Sequence, residues 1–185
     1  MDTWLNKEHK GESEDLAFRL NRAKEQSGRT NEIEEKPQKK RAMRVLFVCT
    51  GNQCRSPMAK VLMERRLEEL GLGDRISVDS AGTLYDPGEP ASEGARTAVL
   101  KACGKDLLAD HRSKHLSEVT PNEYDLILTM GKKHKAGLPT GKTFTIKEYA
   151  GIGGDVADPF RRPQEEYDRC CQELKALIDK VIEKL

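Results

Sequence analysis

One short segment of the chain combines a thiol, a guanidinium and a hydroxyl group. Cys49 is followed, after five intervening residues, by Arg55 and then by Ser56. A cysteine thiolate is a strong nucleophile, and an arginine can hold two oxygen atoms of one phosphoryl group. The three residue types therefore predict that Cys49 attacks a phosphoryl group held by Arg55, while Ser56 hydrogen-bonds the sulfur and helps it to leave again.

The segment between the cysteine and the arginine has the composition of an anion-binding loop. It consists of Thr50, Gly51, Asn52, Gln53 and Cys54. Successive backbone N–H groups of a tight loop can converge on an anion, and a following helix adds unpaired N–H groups and the positive end of its dipole. Glycine and asparagine tolerate the left-handed conformations that such a loop needs. The same electropositive field favours the thiolate form of Cys49.

Two other interpretations of this segment are open. Cys49 and Cys54 could ligate zinc, although neither a second cysteine pair nor a histidine follows at a matching spacing. A cysteine at the end of a strand can also be only a small buried hydrophobic residue. The complete string, with Ser56 and Pro57 opening a helix, favours the phosphoryl-binding interpretation over both.

The predicted reaction needs an acid that protonates the leaving group. Asp158 is the best candidate, because Pro159 restrains it to an extended conformation in a loop that precedes the last predicted helix. The alternative is that Asp158, Pro159 and Phe160 form only a turn.

Predicted strands and helices alternate from residue 43 onward. The apolar run 45–48 predicts a strand that is buried on both faces. The other predicted strands are residues 76–78, 126–128 and 144–146, and the predicted helices are residues 56–70, 91–103 and 164–185. This alternation predicts an α/β fold, a doubly wound four-stranded parallel sheet with helices on both faces. Such sheets bind ligands at the carboxyl ends of their strands, which is where Cys49 lies.

Residues 1–42 differ in composition from the rest of the chain. They carry many charges of both signs and few aliphatic side chains, so they cannot bury enough apolar area to offset their ordering entropy. We expect a charged, disordered extension over residues 1–42 and one domain over residues 43–185. Residues 16–23 could form a docking helix, and Met43 would be a natural start if the preceding segment is not translated.

The overall composition indicates neither nucleic-acid nor membrane binding. The net charge is only +1, with 32 basic and 31 acidic residues. No apolar run reaches the roughly 18 residues of a spanning helix, and no secretory signal is present. The odd number of cysteines suits a reducing compartment. We therefore expect a cytoplasmic protein. We also expect a monomer, with neither a metal ion nor a cofactor.

Residues 43–185 resemble the low-molecular-weight protein phosphatase family. The resemblance rests on the loop Val-Cys-Thr-Gly-Asn-x-Cys-Arg-Ser-Pro beginning at Val48, on the string Asp-Ser-Ala-Gly-Thr at 79–83, and on Asp-Pro at 158–159. It implies that Cys49 forms a phosphocysteine, that Arg55 clamps the phosphate, and that Asp158 acts first as acid and then as base. The implied partners are phosphorylated protein substrates.

The resemblance also implies supporting roles. Asn52 and Ser80 would brace the loop by hydrogen bonds, and Cys54 would trap oxidised Cys49 as a reversible disulfide.

The residues around the pocket indicate which phosphorylated side chain is the substrate. Tyrosine phosphatases of this family commonly have two tyrosines after Asp-Pro and an aliphatic residue at the position of Gln53.

Here Phe160 and Arg161 follow the Asp-Pro pair, and the string 147–160 looks more like the bacterial protein-arginine phosphatase branch. That branch has threonine in place of Gln53. A polar side chain at this position can orient water or a guanidinium nitrogen, whereas an apolar one packs on a phenyl ring. We expect a phosphoarginine substrate, with phosphotyrosine as the alternative, and Tyr85 could line the mouth of the pocket.

Two alternatives come from other classes of protein. Thioredoxin-coupled arsenate reductases have a similar loop but need two further cysteines near the pocket, and the predicted elements do not bring Cys103, Cys170 or Cys171 there. A phosphopeptide-binding module is natural only where the nucleophile or the acid is missing. The remaining candidates for chemistry show no catalytic pairing and are expected at the surface; they are His9, His111, His115 and His134.

Overall fold

The computed structural model describes residues 41–84 and 86–185. The predicted charged extension over residues 1–42, including a docking helix at 16–23, therefore lies outside the described residues except for positions 41 and 42. Tyr85, which was expected to line the pocket mouth, also lies outside them.

Within the described residues, four strands and four α-helices form a parallel α/β fold. They are β1 (Met43–Cys49), α1 (Arg55–Glu69), β2 (Ile76–Gly82), α2 (Glu93–Cys103), β3 (Leu126–Thr129), β4 (Thr143–Thr145), α3 (Ile146–Tyr149) and α4 (Gln164–Ile182). The strands are all parallel and lie in the order β2-β1-β3-β4, which confirms the predicted doubly wound sheet. None of the helices in this part of the chain has the length and apolar character needed to cross a membrane.

Strand β1 lies inside the sheet and is buried on both faces. Val45 and Phe47 belong to one apolar cluster, and Leu46 and Val48 belong to a second cluster on the opposite face. This alternation explains the continuous apolar run, since each face of a central parallel strand needs its own apolar side chains. Strand β2 pairs with one edge of β1 and strand β3 pairs with the other edge. The carboxyl end of β1 is therefore a topological switch point, where parallel sheets bind ligands.

Different elements cover the two faces of the sheet. The larger cluster combines sheet residues with α1, α2 and α4, for example Met58, Val99 and Leu174. The smaller cluster includes Leu116 and Leu138, which come from short 3₁₀ helices and connections. The 3₁₀ helices are Leu116–Glu118, Pro121–Glu123 and Lys132–Lys135.

Side-chain caps set two boundaries that differ from the predicted ones. The strand predicted over residues 144–146 ends at Thr145, because Thr145 Oγ1 accepts a hydrogen bond from Glu148 N (3.0 Å) and starts α3 at Ile146. Similarly, Ser92 accepts a hydrogen bond from Ala95 N (3.4 Å), so α2 begins after it and not at residue 91.

We expect Leu174→Ala to destabilise the fold strongly. The Leu174 side chain is fully buried (0% exposed) in the cluster beneath α4. Removing its branched end leaves a cavity as well as losing apolar burial, which lowers the free energy of unfolding by about 2–5 kcal/mol. Urea denaturation measures this change. The matched control is Leu100→Ala on α2, where the side chain is 47% exposed and the expected change is within about 0.5 kcal/mol.

Candidate active site

The loop from Cys49 to Arg55 joins the carboxyl end of β1 to the amino end of α1. Asn52 adopts a left-handed conformation (φ 53°) and is fully buried. Helix α1 has no side-chain cap at Cys54 and no acidic residue in its first turn. The N–H groups of that turn and the positive end of the helix dipole therefore favour an anion at this end of the helix.

The buried Asn52 side chain connects the loop to three neighbouring segments. Its Nδ2 donates to Ser56 Oγ and to Ser80 Oγ, both at 2.9 Å. Its Oδ1 accepts a hydrogen bond from Lys114 N at 2.9 Å, and its backbone carbonyl lies 2.7 Å from His111 Nε2. The structure thus brings Asn52 and Ser80 into direct contact, and these bonds hold the strained left-handed residue in place.

The Cys49 sulfur lies at the centre of the loop. It is 3.0 Å from Ser56 Oγ and accepts a hydrogen bond from Asn52 N at 3.3 Å. Because Ser56 Oγ already accepts from the Asn52 amide, the serine can direct its own hydrogen at the sulfur. Both interactions stabilise negative charge on Cys49 Sγ.

The Arg55 guanidinium is buried, with only 4% of the residue exposed. Its Nη1 donates to Val156 O at 3.3 Å, and its Nη2 donates to Thr50 Oγ1 at 3.4 Å and forms an ion pair with Asp158 Oδ2. Within the described residues Arg55 Nε is buried and has no hydrogen-bond partner. A buried cation with an unused donor fits an anionic ligand, since burying an unpaired polar group is costly.

The Asp158 carboxyl group lies at the rim of this site. Its side chain is 43% exposed, and its Oδ1 accepts a hydrogen bond from Phe160 N at 3.2 Å. The preceding loop is pinned to the end of β3, because Val156 N donates to Met130 O at 2.8 Å. The tertiary structure therefore joins Asp158 to Arg55 across 103 residues of sequence.

Two further predicted residues lie beside the loop. Gln53 Nε2 donates a long hydrogen bond to Asp86 Oδ2 at 3.4 Å. The Phe160 side chain is 47% exposed, and the Arg161 guanidinium lies 5.2 Å from the centre of its ring. Asp86 is not among the residues that the sequence predicts for the site, because an aspartate before a proline is also an ordinary turn residue.

Burial keeps two of the thiols, Cys54 and Cys170, protonated at neutral pH. Cys54 Sγ lies 3.1 Å from Ser92 Oγ, and burial raises the pKa of Cys54 to about 11. Burial likewise raises the pKa of Cys170 to about 12. Protonated, buried thiols do not favour the disulfide relay of an arsenate reductase. In the part of the chain that the structure describes, no group of three or more metal-ligating side chains could hold a metal ion.

The expectation that the histidines lie at the surface is wrong for His134, which is 2% exposed. Its Nε2 lies 2.9 Å from Thr50 Oγ1. Burial, together with the charges of Arg55 and Lys133, lowers the pKa of His134 to about 4, so the ring is neutral at physiological pH. His111 is also partly buried. Sequence spacing gave no signal for either residue, because their partners are 84 and 59 residues away.

We expect Gly82→Ala to weaken phosphate binding. Gly82 lies opposite Cys49 in the sheet, and a Cβ atom there would lie 2.7 Å from Thr50 O and 3.1 Å from Asn52 N. Both are backbone atoms, so the loop itself must move. The dissociation constant of inorganic phosphate should rise at least about tenfold, which is about 1.4 kcal/mol. Calorimetric titration measures it.

Gly73→Ala is the matched control for this substitution. The nearest neighbour of a Cβ atom at Gly73 is Glu68 Cγ at 4.0 Å, an ordinary contact. Equal phosphate affinities for the two variants would contradict the inference that the close approach of Gly82 fixes the loop.

Comparisons with known proteins agree with this geometry. The chain is 40% identical over 149 residues to a protein-arginine-phosphatase of Geobacillus stearothermophilus, covering 77% of this chain and 95% of that protein. A crystal structure of a low molecular weight protein tyrosine phosphatase from T. tengcongensis is 45% identical, with a TM-score of 0.72, covering 78% of this chain and all of the other.

A second similar structure concerns the nucleophile. It is a cysteine-to-serine mutant of an arginine phosphatase with a phosphorylated active-site serine, 36% identical to this chain, with a TM-score of 0.71 and covering 77% of this chain and 95% of the mutant. The family model described as low molecular weight phosphotyrosine protein phosphatase matches residues 44–185. The chain therefore belongs to the low molecular weight phosphotyrosine protein phosphatase family.

Proposed function

We propose that this phosphatase removes phosphoryl groups from arginine side chains of proteins, with residues 43–185 as its catalytic domain. The observation that carries the proposal is the buried Arg55 guanidinium beside the Cys49 loop, whose Nε has no hydrogen-bond partner among residues 41–84 and 86–185. A phosphoryl group supplies the negative charge and the oxygen acceptors that such a group needs.

In the first step, Cys49 Sγ attacks phosphorus and the bond between phosphorus and the leaving nitrogen breaks. A phosphoryl group bound to Arg55 competes with Asp158 for the guanidinium, which releases the carboxyl group toward the leaving group. Once it is released from the ion pair, the Asp158 carboxylate takes up a proton from solvent, and it gives this proton to the departing nitrogen as the bond between phosphorus and nitrogen breaks. Arg55 and the loop N–H groups stabilise the charge on the transferring oxygens. The product is a phosphocysteine.

In the second step, water attacks phosphorus and the bond between sulfur and phosphorus breaks. Asp158, now a carboxylate, takes the proton of the water. Ser56, 3.0 Å from Cys49 Sγ, stabilises the departing thiolate. The relative that carries a phosphorylated serine in place of its cysteine supports a covalent intermediate of this kind.

Acceptor groups beside the loop favour a guanidinium leaving group. The bond from Gln53 Nε2 to Asp86 Oδ2 (3.4 Å) fixes the plane of the Gln53 amide, whose oxygen can accept from an N–H group. The Asp86 carboxylate adds negative charge beside Gln53, and it complements a guanidinium, which has donors but no acceptor. The similarity to a protein-arginine-phosphatase points the same way.

Phosphotyrosine is the second candidate substrate. The exposure of the Phe160 side chain favours it. The exposed Phe160 ring follows Asp158 directly and could pack against a phenyl group. The Arg161 guanidinium already lies over this ring at 5.2 Å, which reduces the aromatic surface it offers.

We further propose that the enzyme acts on phosphorylated proteins as a monomer in the cytoplasm. One chain supplies Cys49, Arg55 and Asp158, and the five cysteines of the sequence are all free, as suits a reducing compartment.

The test of the substrate is the ratio of kcat/KM for matched phosphoarginine and phosphotyrosine peptides. We expect the ratio to favour phosphoarginine by at least about tenfold. Gln53→Leu should reduce the ratio about tenfold, because it removes an acceptor for the guanidinium at roughly the strength of one hydrogen bond to a charged group. Cys49→Ser should hydrolyse neither peptide, whereas Cys103→Ser, the matched control, should hydrolyse both at the unmodified rate.

A preference for phosphotyrosine in this assay would assign Phe160 the role of a wall against the phenyl ring. Hydrolysis by Cys49→Ser at the unmodified rate would exclude the covalent mechanism itself.

We expect the effect of Asp158→Asn to depend on the leaving group. An amide cannot give up a proton to the leaving group, so kcat should fall by roughly 10²–10⁴ for substrates whose leaving group must be protonated. The loss should be much smaller for aryl phosphates with well-stabilised phenolates, and a series of such esters measures the trend. The matched control is Asp168→Asn, a surface carboxylate that pairs with Lys101 Nζ at 2.7 Å. A uniform loss across the series would remove Asp158 from proton transfer.

A further inference from the structure

His134 is a buried polar side chain that the two-step mechanism does not use. It lies in the 3₁₀ helix Lys132–Lys135, directly after β3, and is 2% exposed. Its Nε2 contacts Thr50 Oγ1 at 2.9 Å. A buried imidazole between a catalytic loop and the end of a strand calls for an explanation, because polar groups are costly to bury.

The backbone around His134 is held in place on two sides. His134 N donates to Gly131 O at 3.0 Å, and Lys132 N donates to Asp155 Oδ1 at 3.0 Å. Asp155 belongs to the loop that also carries Asp158. The same short turn therefore fixes the imidazole and helps to place the loop of the proposed acid.

The Thr50 hydroxyl lies between His134 and Arg55. Arg55 Nη2 can only donate, so Thr50 Oγ1 accepts that bond (3.4 Å). His134 Nε2 contacts the same oxygen at 2.9 Å. The imidazole thereby limits the rotation of the Thr50 hydroxyl and the direction from which the guanidinium approaches it.

We propose that His134 is a positioning residue, which holds the Thr50 hydroxyl and through it sets the plane of the Arg55 guanidinium for a phosphoryl group. This inference rests on the phosphate-clamping role proposed for Arg55. Arginine recognises phosphoryl oxygens with a planar pair of donors, so its orientation matters as well as its charge.

The charge state of His134 agrees with this role. Burial lowers the pKa of His134 to about 4, with Arg55 and Lys133 as further causes, while Asp158 and Asp155 act in the opposite direction. The ring is therefore a neutral hydrogen-bonding group beside Arg55 and not a second cation that competes for the phosphate.

Three substitutions separate positioning from simple packing. In His134→Gln the amide reaches the position of Nε2, in His134→Asn the shorter amide reaches only the position of Nδ1, and in His134→Leu no polar group remains. We expect His134→Leu and His134→Asn to lower kcat/KM on an aryl phosphate, and to raise the inhibition constant of inorganic phosphate, by about tenfold each. His134→Gln should restore most of both.

The rate at which uncharged iodoacetamide alkylates Cys49 shows whether a substitution disturbs the loop as a whole. It should stay within about twofold of the unmodified protein in all three variants, because Arg55 orientation acts on the phosphate and not on an uncharged reagent. If His134→Leu fails to fold, the comparison of His134→Asn with His134→Gln still decides the question.

A double substitution tests the route through Thr50. Adding His134→Asn to Thr50→Val should cause no further loss of phosphate affinity, because the hydroxyl on which His134 acts is already gone. Three outcomes would overturn the positioning role. The first is an additive loss of phosphate affinity in the double variant, the second is an equal loss in His134→Asn and His134→Gln, and the third is unchanged phosphate inhibition in His134→Asn. Arg55→Lys tests the clamping role of Arg55 independently of His134. If this variant leaves the inhibition constant of phosphate unchanged, the proposed clamping role of Arg55 is wrong, whatever the His134 variants show.

Discussion

The buried positive charge of Arg55 is the constraint on which the site depends. A guanidinium that is 4% exposed needs partners inside the protein, because a charge out of water is costly unless it is paired and hydrogen-bonded. Those partners come from separate segments: Thr50 from the loop at β1, and Val156 and Asp158 from the loop before α4. Satisfying one side chain thus brings the proposed clamp and the proposed acid together. Its Nε has no hydrogen-bond partner in the described part of the chain, so one donor of the guanidinium is available to an anionic ligand.

The parallel sheet makes this convergence possible. The carboxyl ends of β1, β2 and β3 lie at one edge, with Cys49 opposite Gly82 and Val48 opposite Thr129. Gly82 allows the backbone of the loop to pass at a distance that a side chain would prevent. Asn52 then fixes the loop through hydrogen bonds to groups from three other segments. These hydrogen bonds connect the loop to elements that the apolar core already holds in place.

Cys49 and Cys54 lie in different environments within one loop. The Cys49 sulfur lies 3.0 Å from Ser56 Oγ, which can donate to it, and accepts a hydrogen bond from Asn52 N at 3.3 Å. Cys54, five residues later, is surrounded by buried groups that raise its pKa to about 11. Two cysteines in one loop therefore have different properties, because one faces the anion-binding centre and the other contacts Ser92 at the start of α2. The proposed nucleophile and a protonated thiol can therefore lie five residues apart in one loop.

The sequence alone determined the parts that depend on neighbouring residues. The spacing of Cys49, Arg55 and Ser56, the glycine and asparagine of the loop, and the alternation of apolar segments specify a loop between a strand and a helix, and hence the α/β fold. A resemblance carried by local motifs also indicated Asp158. Only the tertiary structure decided that His134 is buried against Thr50, that Gly82 must lack a side chain, and that Asp158 reaches Arg55. These contacts join residues far apart in the chain. They depend on strand register and loop packing, which no local pattern of residue types encodes.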